Sequence, residues 1–442
     1  MGYFLIKSMG CQMNRYDSDR LADLLVENGW QATNDETKAD LFIVISCAVR
    51  KKASEKLFSE LGRLRFFKQL RPQTLIAMGG CVAMEAGKEV FRRAPYVDIV
   101  FGTQTSHRLI DLIARAKRGE KKLIDLELPH LEKFKYLPKP QALGASAFIS
   151  IMEGCNNFCS YCIVPYTRGR EESRSMASIL EEAKVLIDKG VKEINLLGQN
   201  VNAYLDSISG AKLSDLIKEL ARFKDLARIR FTTSHPAHMD DAMVAVYSAE
   251  PKLVSHLHLP VQSGSDRVLK RMNRHYTRAQ YLALVAKLKA ARPDLSLATD
   301  IIVGFPGETD EDFDDTLSLV KAVNFDTSFS FIYSPRPHTP AARWLDQVPI
   351  EVRRERLKIL QQQLNSQAAS YSRAMVGTVQ PILVTGLSSK TKENAGDLVQ
   401  LTGKSINNRT VNFEAKRDVI GQLVSVKITE ALPNSLRGEL AL

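Results

Sequence analysis

Between Glu153 and Pro165 the chain reads EGCNNFCSYCIVP, and no other stretch limits the fold and chemistry as tightly. It sets Cys155, Cys159 and Cys162 in a C-x3-C-x2-C spacing, just after the apolar run Ala147 to Met152. Thiolates so close in sequence can all reach one small inorganic centre. A four-iron cube wants one ligand per iron. Three local cysteines therefore leave an iron open, and an open metal position is where substrate or cofactor binds. Two plainer accounts compete. Cys159 and Cys162 could be half of a zinc knuckle completed by Cys155 and a distant histidine, or the three thiols could be small core residues.

The spacing and its setting resemble the radical S-adenosylmethionine (SAM) superfamily. That resemblance implies an open iron held by the amino and carboxyl groups of SAM. It also implies one-electron cleavage of the sulfonium to a 5′-deoxyadenosyl radical. The following sequence supports this over zinc. From about 141 to 349, strand-like runs alternate with helical patterns six times: Ala147–Met152, Glu193–Leu197, Arg228–Thr232, Leu257–Val261, Leu297–Val303 and Ser328–Tyr333. Helices are expected near 175–189, 213–224, 239–249, 277–291 and 309–323. Six parallel βα units predict a partial barrel, whose chemistry lies at the carboxyl ends of the strands. Each end after the first is polar or glycine-bearing: Gly198-Gln199-Asn200, Thr233-Ser234-His235, Gln262-Ser263-Gly264, Gly304-Phe305-Pro306 and Ser334-Pro335-Arg336. Gln199, Asn200, Ser234, Gln262 and Ser263 are the candidate cofactor-binding residues. Tyr161 could stack on an adenine or serve as a core aromatic. His235 and His238 read as caps of a loop and a helix start, and His256 and His258 alternate on a strand. Either pair taken as zinc ligands would demand another account of the cysteines.

Residues 1 to about 140 alternate strand and helix, which implies a parallel sheet covered on both faces. Leu21, Leu24, Leu25 and Val26 are read as one side of the first helix. The remaining cysteines, Cys11, Cys47 and Cys81, each fall just past a predicted strand, 36 and 34 residues apart. In open parallel sheets those ends share one edge, which carries the ligand site. Three thiols distant in sequence then meet in space; three unrelated buried cysteines are the alternative. Around the second helix, Arg50, Lys51, Lys52, Lys56, Arg63, Arg65, Lys68 and Arg71 outnumber Glu55 and Glu60. A solvated helix face or an RNA-backbone contact would produce that excess. Pro129 to Ala145 reads as a linker.

After a polar helix from Ile350 to Met375, five short strands are expected: 378–384, 397–401, 410–413, 423–428 and 437–440. Such a run suggests a small closed barrel of a kind that often holds RNA, with a protein-docking module as the alternative. The barrel carries eight Lys or Arg against six Asp or Glu from residue 376 on, so shape argues for RNA more than charge does. The whole chain has a net charge of +11, which favours an anionic partner. The six cysteines all lie before residue 163, unlike a secreted disulfide framework, so a reducing, cytoplasmic setting is expected. The longest apolar run, Leu41 to Val49, is far short of a membrane span.

Taken together, CNNFCSYCIVPYTRGRE, LLGQNVNAY, HLPVQSGSDRVLKRMNRHYT and YSPRPHTPAA resemble the radical-type methylthiotransferases over nearly the whole length. The resemblance implies an α/β chain of three parts: a doubly wound parallel sheet (1–118), a partial (β/α)6 radical SAM core (141–372) and a TRAM β-barrel for RNA (375–440). It implies two [4Fe-4S] clusters, an auxiliary one on Cys11, Cys47 and Cys81 and a reducing one on Cys155, Cys159 and Cys162. One SAM would methylate sulfur held on the auxiliary cluster. A second would be split to abstract hydrogen, with methylthio added at carbon 2 of N6-dimethylallyladenosine beside the anticodon of tRNA. An electron donor and a sulfur donor are implied, and a monomer is expected. Sister enzymes act on threonylcarbamoyladenosine or on a ribosomal-protein aspartate. A zinc-stabilised RNA-binding protein without catalysis is the other alternative. The Gln199 to Asn202 run discriminates best among the sisters. His338 stands where the family usually has glycine, which puts the shape of that loop in question.

Overall fold

Short apolar runs between helices build one six-stranded and two three-stranded parallel sheets among the described residues, as the alternation requires, and five further strands close a barrel. The computed structural model describes residues 2–48, 51–129, 132–141, 144–389, 391 and 398–441, without the side chains of 51, 52 and 132. The expectations placed on Arg50, the side chains of Lys51 and Lys52, and Asp397 lie outside the described residues. The chain divides into two compact units: residues 1–141, 152–174 and 334–342 in one, and 142–151, 175–333 and 343–442 in the other.

The first unit is built on six parallel strands: β1 (Tyr3–Met9), β2 (Gln31–Ala32), β3 (Leu41–Ser46), β4 (Leu75–Gly79), β5 (Ile99–Phe101) and β6 (Leu123–Asp125). Their order is β2-β1-β3-β4-β5-β6. Alternate residues of β3 face opposite cores. Phe42 and Val44 meet Leu57, Leu61 and Leu64 on one side, and Leu41, Ile43 and Ile45 meet Leu21, Leu25 and Leu112 on the other. The sheet is doubly wound, as expected. The short edge strands β2 and β6 were not anticipated, because a strand of two or three residues carries no periodicity. Val26 departs from the expected face: it is about half exposed while Leu21 and Leu25 are buried. One residue past Leu25 is a 100° turn away from the core stripe. The stretch expected as a linker holds a short helix, Glu132–Lys135, and Lys133 is buried in the unit's interior.

In the second unit the six expected barrel strands appear as Ser146–Ser150, Glu193–Leu197, Arg228–Phe231, His256–His258, Ser296–Val303 and Thr327–Ile332. They form two parallel three-stranded sheets, strands one to three and four to six. Ile229 joins them, donating to Lys252 O at 2.7 Å and accepting from Val254 N at 3.1 Å. Helices Met176–Asp188, Leu213–Ala221, Asp241–Ala249, Arg278–Ala291 and Asp310–Val323 cover this arc. The connector is one helix, Ile350–Ala374, with Leu360 and Leu364 buried. Gln363 and Gln367 on it donate to the carbonyls of Leu317 and Val320. Five strands then close a barrel: Val379–Leu387, Leu398–Lys404, Thr410–Lys416, Leu423–Ala431 and Leu436–Leu440. No described helix is long and apolar enough to cross a membrane.

Candidate cluster and cofactor site

In the first unit the order of strands reverses between β1 and β3, and ligands bind at such a switch point, outside the carboxyl ends of the strands. Cys11 lies two residues past β1, Cys47 one past β3 and Cys81 two past β4. Gly10 brings the first two together. Its φ is +122°, and a Cβ there would lie 2.4 Å from Cys47 Cβ. A hydrogen bond from Cys47 pulls the Cys11 thiol down to about 6, and the charge of Arg168 acts in the same direction. Burial raises Cys81, against the pull of the same guanidinium. At the sheet edge Cys11 and Cys81 thus share one cation and Cys47 is bonded to Cys11, a donor set that suits iron held as thiolates.

The second trio belongs to the same unit. Gly154, with φ +76°, lets the loop fold back: a Cβ would meet Arg170 O at 1.9 Å. Cys155 N donates to Gly169 O at 3.3 Å and Cys162 N to Cys159 O at 2.9 Å, so the cysteines sit on a closed turn. Asn157 Nδ2 lies 3.4 Å from Cys155 Sγ, and burial raises that thiol. Tyr161 is half-buried in the turn.

Between the trios lies a buried group that sequence reasoning missed. Arg168, six residues after Cys162, places Nη2 2.7 Å from Asp17 and 3.4 Å from Asn14 Oδ1, and Nη1 3.1 Å from Glu153. Lys133 pairs with Asp17 at 2.7 Å and with Glu153. Gln104 Nε2 donates to Glu153 Oε2 at 2.5 Å. The four ionised side chains are all at most 7 % exposed. Burial alone would raise the Asp17 carboxyl, but Lys133 and Arg168 outweigh it and hold it below its ordinary value. Asn14 Oδ1 also lies 3.7 Å from Cys11 Sγ. One hydrogen-bonded group therefore runs from the residue before Gly154-Cys155 to the first sheet-edge cysteine. Glu153 and Arg168 flank the cysteine turn, a signal that was visible. Lys133 and Asp17 carried none.

In the second unit the barrel-strand ends are tightly organised. Thr233 and Gln262 both adopt φ +70°, and a β-branched residue in that region is an outlier of the kind that clusters at functional sites. Asn202 clasps His235 through two bonds of 2.8 Å to its backbone. His235 Nδ1 accepts from Ala237 N at 3.2 Å, capping the turn as expected. Burial lowers this imidazole to about 2, so it stays neutral with its proton on Nε2. Asn200 Nδ2 lies 2.8 Å from His238 Nδ1. Among the described residues, the buried His235 Nε2 and Ser234 Oγ have no hydrogen-bond partner. Buried polar groups left open in this way have capacity for a further partner. With Gln199, Asn200 and Gln262 past the ends of the strands on either side in chain order, these amides and hydroxyls suit amino-acid and ribose groups such as those of SAM. Ser263 is differently engaged, 3.3 Å from Thr316 Oγ1 and accepting from Ser265 N.

Other expectations resolve plainly. Among the described residues no three His, Cys, Asp or Glu side chains are arranged to hold a single metal ion. A cluster takes one thiolate at each of several irons and needs no such focus. On the second helix Arg63 is tied to Glu36 and Glu60 and Lys68 to Asp98, and just past it Arg71 is tied to Asp40, so much of the expected basic excess is paired within the unit. The carboxyl-terminal barrel is anchored by Arg228, which donates to Lys404 O at 2.8 Å and Pro381 O at 2.6 Å. Arg409 makes a two-pronged pair with Asp326, one arm at 2.8 Å.

Three family models match the chain: the uncharacterized protein family UPF0004 over residues 3–102, the radical SAM superfamily over 149–320 and the TRAM domain over 373–441. The chain is 51% identical over 440 residues to a tRNA-2-methylthio-N(6)-dimethylallyladenosine synthase of Vibrio cholerae, spanning 99% of this chain and 92% of that protein. A protein of the same name from Coxiella burnetii is 51% identical over 439 residues, spanning 98% and 99%. Among solved structures, the radical S-adenosylmethionine methyltransferase TsrM of Kitasatospora setae aligns with a TM-score of 0.59. The alignment covers 90% of this chain and 79% of that one at 15% identity, a likeness of fold.

Proposed function

This chain belongs to the tRNA-2-methylthio-N(6)-dimethylallyladenosine synthase family of radical SAM enzymes, and from that premise we propose that it adds methylthio to carbon 2 of N6-dimethylallyladenosine beside the anticodon of tRNA. Cys155, Cys159 and Cys162 hold the reducing [4Fe-4S] cluster, and Cys11, Cys47 and Cys81 hold the auxiliary one. When bound, these clusters and SAM supply the radical and the sulfur that an unactivated C–H bond requires. The protein's own part is to position and to exclude water. Gly10 and Gly154 let the backbone close around the two thiol sets. Arg168 places fixed positive charge beside the sheet-edge thiolates. Ser234, Gln199, Asn200, Gln262 and neutral His235 orient the cofactor. The TRAM barrel grips RNA while the target base leaves its stack. The reading implies an external reductant and a sulfur source, and a monomer in the cytoplasm.

The observation that carries it is the distribution of the six cysteines: all fall in two trios, each on backbone shaped to gather them. The test is anaerobic reconstitution with iron and sulfide, then incubation with SAM, a reductant and stem–loop RNA with or without the prenyl group. Nucleoside mass spectrometry should show methylthio only on the prenylated adenosine. Zinc in place of iron, or modification of threonylcarbamoyladenosine instead, would overturn it.

A further inference from the structure

His338 adopts φ +67°, a left-handed backbone conformation that favours glycine. This chain thus keeps a side chain where the backbone would be easier without one. Strain retained at one residue points to a use for its side chain. The surrounding loop is pinned. Thr339 Oγ1 donates to Arg336 O at 2.8 Å, and Ala341 N donates to Ser160 O at 2.9 Å, inside the cysteine turn. The use is not core packing, because His338 is exposed. Its ring lies 6.0 Å from that of Tyr166, tilted by 36°. Tyr166 is four residues past Cys162 and is itself 39% exposed. Phe158, between Cys155 and Cys159, is 45% exposed with φ +44°. Three partly exposed aromatic rings thus stand on the cysteine turn, on the helix Val164–Arg168 that follows it and on the loop bonded to the turn. Exposed rings on rigid backbone are how proteins hold unpaired bases, whose flat faces stack whatever their sequence.

We propose that His338 and Tyr166 form a stacking platform for an unpaired base adjoining the target adenosine of the RNA, and that His338 is a substrate-affinity residue. The inference rests on the tRNA reading above and specifies a contact within it.

The test uses the reconstituted full-length enzyme, anaerobically, and a prenylated anticodon stem–loop with 2-aminopurine next to the target. Stacking on the platform quenches that probe. H338G removes the ring and relaxes the backbone, so it should fold. It is expected to keep the iron content and visible spectrum of the parent, weaken RNA binding on the order of tenfold, and lose the quenching. H338F keeps a flat ring and should restore both. Tyr166→Ala should resemble H338G, and the double variant should add little, since the two rings act on one base. Unchanged binding and quenching in H338G would overturn the proposal. If the parent enzyme binds no stem–loop, the functional reading itself fails and takes this contact with it. If the parent binds and modifies RNA but H338G matches it, only the platform is wrong.

Discussion

Replacing Glu153 by Gln tests the buried group that links the two cysteine trios. In the intact protein two cations, Lys133 and Arg168, face two carboxylates, Asp17 and Glu153, all at most 7 % exposed. Glutamine keeps the shape and the contact with Gln104 but leaves two buried cations against one carboxylate. Removing one partner of a buried pair costs about 3–5 kcal/mol. An exposed pair such as Lys184–Asp188, both over half exposed, is worth at most about 1 kcal/mol. The two estimates differ enough to be told apart. Global melting is a poor readout in a chain of several parts, so hydrogen exchange of the helix Gln12–Glu27 and of residues 164–168 is the assay. Amides released by opening of this region should exchange about two to four orders of magnitude faster. Pairing Glu153→Gln with Lys133→Met removes one charge of each sign and should cost less than the two single changes together. A change of only a few-fold in exchange, or simple additivity of the pair, would show that the group is solvated and does not join the trios.

Other outcomes follow from the same geometry. Cys47→Ala should lower iron from about eight per chain to about four, with the remaining cluster signal intact; loss of all signal, or of none, refutes two separate centres. Asp326→Ala leaves Arg409, 11% exposed, without its carboxylate, which should cost about 3–5 kcal/mol and expose the 375–378 junction to limited proteolysis. Burial raises the Asp23 carboxyl to about 6, against the pull of Arg20. A carboxyl whose folded value lies above its unfolded one loses stability as pH rises between the two. Asp23→Asn should therefore stabilise the protein at pH 7 and flatten its stability between about pH 4 and 6, as read by thermal shift. Asp17 has the opposite sign: held low by Lys133 and Arg168, its contribution is present at neutral pH and lost as pH falls through its depressed value.

Much of this architecture was legible because it is local or periodic. Runs of five or six apolar residues identify buried parallel strands, and the helices expected near 277–291 and 309–323 appear as Arg278–Ala291 and Asp310–Val323. The polar strand ends were readable because βα folds put chemistry there. The short strands Gln31–Ala32 and Leu123–Asp125 and the helix Val164–Arg168 were not, since two to five residues hold no period. The stretch around Lys133 read as linker for a sharper reason. Its lysine is interior only because Asp17 and Glu153, 116 and 20 residues away, neutralise it.

The order of residues alone singled out the proposed iron ligands: six sulfurs, three set by a turn and three by the repeat of strand and helix. Spacing along a chain is enough for that, because strand length and helix length convert it directly into position. Only the folded molecule decided which charge stands beside those sulfurs, which side chain sits on strained backbone at the rim, and which buried groups are left open. Those depend on pairs of residues brought together from far apart, and no local pattern records them.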